Sequence, residues 1–364
     1  MSSTEDQFWR NRKVLITGHT GFKGSWLSLW MHKLGAEVYG YALRPETQPN
    51  LFTTADLPFL CNSCFADIRD LDALKLYFNQ VNPEIVFHLA AQPLVRQSYL
   101  DPLETLSTNV IGTANVFEAA LQTPSLKAVV NVTSDKCYQN DGTDHVFKEN
   151  DPLGGDDPYS ASKACAEIIT QSYRTSFLNN AHIALASVRA GNVIGGGDWA
   201  KDRLIPDIIN SLITKQRLQI RYPKAVRPWQ YVLEPLSGYL LLAKKLIQDP
   251  QKFQSAWNFG PNAQDAKEVL WIAERIALLW GGDANFTINR NPEPHEAESI
   301  KLDITKSKNI LGWHPIVGLN YAMKSIVKFH KAHQSNKNIL KYCLDLIEEF
   351  EHMTFDGKGF DEDY

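Results

Sequence analysis

The chain has 364 residues, of which 44% are hydrophobic and 21% are charged. This balance is typical of a globular enzyme with two domains, or with one large domain and a smaller annex. The net charge of −4 gives no broad basic surface, so the composition argues against a nucleic-acid partner. No secretory signal is visible in "MSSTEDQFWRNRK", and the apolar run in "SGYLLLAKKLI" is too short to span a bilayer, so we expect no membrane association.

Apolar runs alternate with helical patterns in the first half of the chain. The runs that predict strands are "KVLITG", "EVYGYAL", "SCFADI", "EIVFHLA", "KAVVNVTS" and "IALASVRAGNVIG". Between them, helices are predicted for "KGSWLSLWMHKLG", "DLDALKLYFNQV", "LSTNVIGTANVFEAAL" and "DPYSASKACAEIITQSYRTSF". Strands separated by helices indicate βαβ units, and continuous apolar strands indicate a sheet covered on both faces. We therefore predict an α/β fold with a Rossmann-type, doubly wound parallel sheet.

The pattern loosens after about residue 190, where short strands and helices mix with loops rich in glycine and charge. We predict a dinucleotide-binding domain over residues 1–190, joined by segments that cross back at about 227–260. A smaller, mixed C-terminal substrate domain takes about 191–226 and 261–335. Residues 336–364 form a C-terminal tail with one more helical stretch.

The cysteines are few and odd in number: Cys61, Cys64, Cys137, Cys165 and Cys343. Such a set in a long chain predicts reduced thiols and a cytoplasmic location. The first two form a C-x-x-C without a second ligand pair, so we interpret them as small buried residues near a strand. His295 and Glu296 in "PHEAES" do not complete H-E-x-x-H, and we expect no metal site.

Three glycines follow the first predicted strand and open the first predicted helix, in "TGHTGFKGSWL". Glycine permits a tight turn and a close approach of backbone N–H groups to a pyrophosphate, while the helix N-terminus adds positive potential. The position at the first turn of a βαβ unit favours a dinucleotide site over a turn that binds nothing. We assign to the cofactor the loop residues Gly18, His19, Gly21, Phe22, Lys23 and Gly24.

The second predicted strand ends in "GYALRPET", without the acid that usually binds the ribose hydroxyls of NAD. Arg44 follows closely and either suits a 2′-phosphate or is solvated, so we expect NAD and leave NADP open. After the third strand, Asp67 and Ile68 are placed to meet the adenine. Ala90, after the fourth strand, belongs to the same predicted cofactor set, as do Tyr159 and Lys163 further along the chain.

Tyr159 and Lys163 lie four residues apart in "DPYSASKACAE" and share one face of a predicted helix. An ammonium group near a tyrosine favours the phenolate, so we expect a lowered pKa that suits Tyr159 as a base near neutral pH. The same spacing also arises by chance on surface helices. Behind a glycine-rich turn and a strand that ends at Ser134, we interpret the pair as catalytic.

Together these motifs resemble those of the extended short-chain dehydrogenases/reductases, over residues 12–198 and more weakly to about 330. The matching elements are "TGHTGFKG", "ADIRD", "HLAAQ", "TNVIGT", Ser134, "YSASK" and "RAGNVIGGG". Within that superfamily the chain is most similar to the nucleotide-sugar 4,6-dehydratases, and "SDKCY", "GGGDWAKDRLIPD" and "RPWQ" are similar to the branch that acts on CDP-glucose. The resemblance implies NAD-dependent oxidation at C4 of the sugar, loss of water across C5 and C6, and return of the hydride to C6. The implied product is CDP-4-keto-6-deoxy-D-glucose.

The resemblance also implies roles around the end of the fifth strand. Tyr159 would take the proton of the 4-hydroxyl, Ser134 would hydrogen-bond that hydroxyl, and Lys163 would bind the nicotinamide ribose. Asp135 matches the aspartate of an Asp-Glu pair in relatives, which implies a general acid at the C6 hydroxyl. Lys136 replaces the glutamate, and either removes the C5 proton or stabilises the enolate electrostatically. For an isolated Asp-Lys pair, the alternative is a salt-bridged Asp135 and a solvated Lys136.

Candidate substrate contacts come from the sixth strand onward: Asn192, Lys201, Arg203, Arg227 and His295. An amide suits the sugar or the diphosphate, and guanidinium groups suit phosphate oxygens, although each could be a surface charge. By resemblance, His295 lies near the nucleotide. Asn109, in the middle of a predicted helix, has a structural or proton-relay role by resemblance, or is a buried amide with satisfied hydrogen bonds.

Other functions share this scaffold. A nucleotide-sugar 4-epimerase would keep Tyr159 and Lys163 but would not need Asp135 as an acid. Dehydratases that act on TDP-glucose or GDP-mannose normally have Asp-Glu, and dinucleotide-sensing scaffolds commonly lack the Tyr–Lys pair. The resemblance further implies a homodimer formed through helices near residues 97–120 and 158–178.

Overall fold

The computed structural model describes residues 7–282, 286–288 and 300–355. Its strands are β1 (Lys13–Thr17), β2 (Glu37–Ala42), β3 (Asn62–Phe65), β4 (Ile85–His88), β5 (Ala128–Val132), β6 (Val146–Phe147), β7 (Ala184–Arg189), β8 (Val193–Ile194), β9 (Leu218–Ile220), β10 (Val226–Pro228), β11 (Gln230–Tyr231), β12 (Ala256–Asn258), β13 (Ala266–Glu268), β14 (Phe286–Ile288) and β15 (Lys301–Leu302).

The helices alternate with these strands. They are α1 (Phe22–Lys33), α2 (Leu51–Thr54), α3 (Leu71–Val81), α4 (Val95–Leu100), α5 (Pro102–Leu106), α6 (Gly112–Leu121), α7 (Pro158–Tyr173), α8 (Leu204–Thr214), α9 (Leu233–Gln248), α10 (Pro250–Phe253), α11 (Val269–Trp280), α12 (Leu319–Gln334) and α13 (Ile339–Phe355). Short 3₁₀ turns lie at Leu57–Phe59, Asp135–Cys137 and Ala263–Asp265, and π-helical turns lie at Ser107–Ile111, Arg174–Leu178 and Ser307–Leu311.

Seven parallel strands form the central sheet, in the order β12-β7-β5-β4-β1-β2-β3. The six strands predicted from apolar runs are all present, and β12 from the second half of the chain extends the sheet beside β7. The predicted doubly wound parallel sheet is therefore confirmed. The chain direction across the sheet reverses between β1 and β4, and ligands of such sheets bind at the carboxyl ends of the strands near that reversal.

The inner strands β1, β4, β5 and β7 are buried along nearly all of their length, because helices cover both faces of the sheet. Along β1, Val14 and Ile16 pack into the core on one face, whereas Leu15 packs into the core on the other. Along β5, Val130 and Val129 divide in the same way. Alternate side chains of a strand point to opposite faces, so each face needs its own apolar partner layer.

Smaller strand pairs and the C-terminal helices complete the molecule. β10 pairs antiparallel with β13, and three short parallel pairs join β11 to β8, β14 to β9 and β15 to β6. Helix α13 packs against α1, where Glu351 accepts hydrogen bonds from Trp30 Nε1 at 2.6 Å and from Lys33 Nζ at 2.8 Å. Within the described residues, none of the helices is long and apolar enough to cross a bilayer.

A buried carboxyl group at the start of α9 holds the segment before α12. Glu234 Oε1 accepts hydrogen bonds from the backbone N–H groups of Ile316 at 2.7 Å and Val317 at 2.6 Å. Burial raises the pKa of Glu234 to about 8, although these two hydrogen bonds oppose the rise. The carboxyl therefore stays protonated in the folded protein at neutral pH.

We expect Glu234→Gln to stabilise the protein at pH 8, because the amide keeps the acceptor oxygen and cannot ionise. The unfolded carboxyl ionises near pH 4.5 and the folded one near 8, so folding takes up a proton in this window and stability falls as pH rises through it. The variant should gain about 4 kcal/mol at pH 8 and nothing below pH 4.5. Chemical denaturation at both pH values measures this, and an equal gain or loss at both would contradict the assignment.

Candidate active site

A cleft of about 870 Å³ lies at the carboxyl ends of the central strands. The cleft is lined by residues that directly follow β1, β2, β3, β4, β5 and β7, together with residues from the second half of the chain. The predicted site residues that line it are Gly18, Gly21, Phe22, Lys23, Gly24, Asp67, Ile68, Ala90, Ser134, Asp135, Lys136, Tyr159, Lys163, Asn192, Arg203 and Arg227. The fold thus brings together side chains from the first turn to β10.

Two predicted contacts among the described residues, His19 and Lys201, are not part of this lining. The buried ring of His19 packs edge-on against Phe52, with centroids 5.2 Å apart, and its Nε2 lies 2.9 Å from Ser63 Oγ. Burial lowers the pKa of His19 to about 4, so the ring is a neutral core group. Lys201 is exposed and lies outside the cleft. The side chains of His19 and Lys201 therefore do not face the cleft, and His295 falls outside the described residues.

The glycine-rich turn after β1 is packed so closely against the backbone that side chains would not fit at Gly18 and Gly24. Gly18 has φ of +73°, and a Cβ there would come within 2.7 Å of the backbone nitrogen of Ala90. A Cβ on Gly24 would overlap the carbonyl oxygen of Gly18. Helix α1 begins at Phe22, directly after the turn, so its free N–H groups and positive end face the cleft. A dinucleotide pyrophosphate fits this cradle.

Elsewhere in the cleft lining, Arg44 follows β2 and Asp67 follows β3. Asp67 accepts hydrogen bonds from Arg69, including one from Nε at 2.9 Å, and these hold the pKa of Asp67 below its ordinary value. Arg44 stacks over the Phe65 ring, with its guanidinium carbon 4.6 Å from the ring centroid. β2 ends at Ala42, so no acid stands at its carboxyl end.

The segment after β5 turns sharply and places the hydroxyl group of Ser134 and the carboxyl group of Asp135 in the cleft wall. Ser134 caps the 3₁₀ turn Asp135–Cys137: its Oγ accepts from the Lys136 N–H at 3.2 Å and donates to Asp135 Oδ1 at 3.0 Å. Asp135 is buried and lies so close to Gly191 that a Cβ there would overlap its Oδ2. Among the described residues, none forms a salt bridge with Lys136, which is half-buried.

Helix α7 presents Tyr159 and Lys163 to the same wall, and both are buried. Burial raises the pKa of Tyr159 to about 12; its hydrogen bond with Ser134 and the charge of Arg203 oppose this rise. Burial also lowers the pKa of Lys163 to about 8. The predicted lowering of the Tyr159 pKa is wrong, because desolvation of the phenolate outweighs the cations nearby.

Comparison with known proteins agrees with this geometry. Residues 15–326 match the family model described as GDP-mannose 4,6 dehydratase. The chain belongs to the GDP-mannose 4,6-dehydratase family. A CDP-glucose 4,6-dehydratase from Salmonella typhimurium is 52% identical over 333 residues, which cover 90% of this chain and 93% of that protein.

Solved structures share the fold of this dehydratase family member. A dTDP-glucose 4,6-dehydratase from Bacillus anthracis in complex with NAD aligns with a TM-score of 0.74 at 20% identity, covering 90% of this chain and 99% of that one. A UDP-glucose 4-epimerase from Thermotoga maritima with UDP-glucose aligns with a TM-score of 0.76 at 21% identity, covering 88% and 99%. At these identities the likeness shows the fold, which dehydratases and epimerases have in common.

In this dehydratase family member, Lys23 and Arg203 lie close to the candidate catalytic groups, which their motifs did not predict. Lys23 Nζ donates to Tyr239 Oη at 3.2 Å, and burial together with the charges of Lys163 and Arg203 lowers the pKa of Lys23 to about 7. Arg203 Nη1 pairs with Asp198 Oδ2 at 2.9 Å. Spacing in the sequence does not indicate this proximity, because Lys23 and Arg203 are far apart in the chain.

Sequence reasoning missed a charged bridge in the cleft wall. Asp202 accepts from Arg96 Nη1 at 2.9 Å and from Arg221 Nη1 at 3.1 Å, and all three residues line the cleft. Arg96 lies in the first turn of α4, whereas Arg221 follows β9. The charged residues directly after short apolar runs in "PLVRQS" and "LQIRYP" were the available signal.

Asn109 supports the catalytic helix from behind. Its Nδ2 donates to Ser162 Oγ at 2.8 Å, and Ser162 Oγ donates to the carbonyl oxygen of Tyr159 at 2.6 Å. Its Oδ1 accepts from the Gln92 N–H at 2.8 Å. The buried amide with satisfied hydrogen bonds, one of the two expectations, matches these contacts.

Proposed function

We propose that this protein is an NAD-dependent nucleotide-sugar 4,6-dehydratase, a hydro-lyase that converts CDP-D-glucose to CDP-4-keto-6-deoxy-D-glucose. The observation that carries the proposal is that two groups of reactive side chains lie in one cleft wall. Tyr159, Ser134 and Lys163 suit oxidation of an alcohol, and the buried carboxyl of Asp135 suits loss of water. A 4-epimerase needs only the first set. The relative that is 52% identical bears the name of this activity and directs the proposal to CDP-glucose.

NAD fits the cleft. The glycine-rich turn and the N-terminus of α1 would hold its pyrophosphate, and Asp67 and Ile68 line the end where β3 finishes. NAD supplies the hydride acceptor at C4 and the hydride donor at C6 when it is bound. The complexes of structural relatives with NAD support this cofactor over NADP. Arg44 remains the residue on which any binding of a 2′-phosphate would depend.

Tyr159 takes the proton of the sugar 4-hydroxyl. Its pKa of about 12 means that the phenolate needs positive charge close by, and Arg203 already provides some. Ser134, hydrogen-bonded to Tyr159, orients the same hydroxyl. Asp135 then protonates the C6 hydroxyl so that it leaves as water. Asn192 and Arg227, both in the cleft lining, bind the sugar and the diphosphate.

Lys136 removes the C5 proton in this proposal, since it lines the cleft one residue after Asp135. Lys136→Met should reduce turnover by about 10²–10⁴-fold and abolish exchange of the C5 hydrogen with deuterated solvent, while C4 oxidation still reduces the nicotinamide. Lys127→Met is the matched control, because Lys127 is exposed and pairs with Glu84 at 2.9 Å. Unchanged exchange and turnover in Lys136→Met would exclude both a base and an electrostatic role.

The homodimer is a further part of the proposal. Leu100, Leu103 and Ile111 on the α4–α6 side and Ile168 on α7 are each more than half exposed. Apolar side chains grouped on two neighbouring helical segments favour burial against a second copy. Light scattering of the purified protein measures this, and a monomer at micromolar concentration would contradict it. We also propose a cytoplasmic location, which the five free thiols support.

The decisive experiment incubates the purified protein together with NAD in four separate reactions, one each with CDP-glucose, dTDP-glucose, UDP-glucose and GDP-mannose. We expect the 4-keto-6-deoxy product, detected by its absorbance in alkali, from CDP-glucose. If the protein turns over dTDP-glucose but not CDP-glucose, the nucleotide assignment is overturned. Formation of a C4 epimer without any keto product would favour the epimerase instead.

A further inference from the structure

An ion pair with no assigned role is buried directly behind the catalytic wall. Glu167, on α7, accepts hydrogen bonds at Oε2 from Arg189 Nη2 at 2.7 Å and from Ser187 Oγ at 2.7 Å. The side chains of Glu167 and Arg189 are only 3% and 4% exposed. Burial disfavours the carboxylate, yet the Arg189 charge and the hydrogen bonds hold the pKa of Glu167 below its ordinary value. The pair is therefore charged in the folded protein.

The same ion pair contacts both ends of the segment that carries Ser134, Asp135 and Lys136. At the first end, Thr133 Oγ1 donates to Glu167 Oε1 at 2.5 Å, and the Thr133 N–H donates to the carbonyl oxygen of Val188 at 2.9 Å. This fixes the residue immediately before Ser134 to both α7 and β7.

At the second end, Arg189 Nη1 donates to Tyr138 Oη at 2.7 Å. Tyr138 Oη in turn donates to Asn258 Oδ1 at 2.7 Å, on β12. The Arg189 guanidinium also lies over the Tyr138 ring, 4.8 Å from its centroid. The three catalytic candidates therefore lie between two anchors that share one buried ion pair.

Helix α7 extends this arrangement to the other catalytic set. Tyr159, Lys163 and Glu167 follow one another at intervals of four residues, so they lie along one helix face. The position of the Asp135 segment relative to Tyr159 is thus set through Glu167, which belongs to the helix and bonds the segment. Displacement by about 1 Å at such a point can cost about 100-fold in rate.

We propose that Glu167 and Arg189 are positioning residues that hold Asp135 and Lys136 in register with Tyr159, acting through the hydroxyl groups of Thr133 and Tyr138. This inference rests on the proposed function. Ser134 lies close enough to Tyr159 to lower its pKa, so loss of an anchor acts more on the loss of water than on C4 oxidation.

Thr133→Val and Tyr138→Phe test the proposal, because each removes one anchoring hydroxyl at nearly constant volume. Each variant should lose about 10–100-fold in kcat with KM changed less than about threefold. In a single turnover with CDP-glucose, absorbance of reduced nicotinamide should accumulate, since C4 oxidation continues while loss of water slows. Glu167→Gln should behave in the same way where it folds.

Tyr173→Phe is the matched control on the same helix, since the Tyr173 hydroxyl donates to Glu118 at 2.7 Å. It should keep wild-type kcat and show no accumulation. A lowered melting temperature with unchanged kcat in Thr133→Val and Tyr138→Phe would overturn the inference, as would equal slowing of both steps. Failure of the wild type to turn over any nucleotide-glucose would instead overturn the proposed function.

Discussion

Tyr159→Phe is expected to lose about 10³-fold in kcat while it still binds the nucleotide sugar and NAD. The variant keeps the ring that fills the buried wall and removes only the hydroxyl that, in the proposed function, takes the proton from the sugar. The 4-hydroxyl of the sugar then has no acceptor for its proton. The interaction of Tyr159 with Ser134 is lost as well. C4 oxidation is the first step, so no reduced nicotinamide should appear on addition of CDP-glucose.

The matched substitution Tyr173→Phe, on the same helix, should leave the rate unchanged. Stopped-flow absorbance of the reduced nicotinamide and titration of substrate binding separate the two effects. Retention of more than about a tenth of the wild-type rate by Tyr159→Phe would remove Tyr159 from the catalytic role, because general-base catalysis contributes at least about 10²-fold.

Gly191→Ala should lower turnover by about 100-fold or more, since the added methyl group overlaps Asp135 Oδ2 and must displace the carboxyl. Loss of water then slows, while Tyr159 and Ser134 continue C4 oxidation. Asp135→Asn removes the proton without changing the shape, so it should give the same pattern of accumulated reduced nicotinamide. Agreement between these two variants would tie the effect to the position of the acid.

Gly282→Ala is the control for Gly191→Ala, because no atom lies within 4 Å of a Cβ added at Gly282. It should retain wild-type kcat and stability. Full activity of Gly191→Ala would show that the Asp135 carboxyl is not required where it stands, and the general-acid assignment would then fall.

Much of the frame was predictable from the sequence, because it depends on local pattern. Continuous apolar runs predicted β1 to β5 and β7, since both faces of the sheet need apolar partners. The glycines after β1 predicted the close turn, because only residues without a Cβ fit there. The spacing of Tyr159 and Lys163 predicted a shared helix face, which α7 provides. Each of these features is settled within a few residues.

Other features depend on contacts between residues far apart in the chain. The glycine-rich motif did not show that the His19 ring turns into the core beside Ser63, which lies 44 positions away. The Tyr–Lys pair did not show that burial would raise the pKa of Tyr159 to about 12. Neither is encoded in spacing, since the cost of desolvation depends on what surrounds a group.

The chemistry at the strand ends depends partly on the local sequence and partly on the fold. The sequence by itself determined the sheet, the cofactor turn and the residue types at the end of β5, because periodicity and glycine geometry act locally. Only the tertiary structure decided that Gly191 makes room for Asp135, that the charge of Arg203 acts on Tyr159, and that one ion pair contacts both ends of the segment that carries Ser134, Asp135 and Lys136. The physical reason is that charge, burial and steric fit at this site arise between β5, β7, α7 and the second half of the chain, which meet only when the sheet is complete.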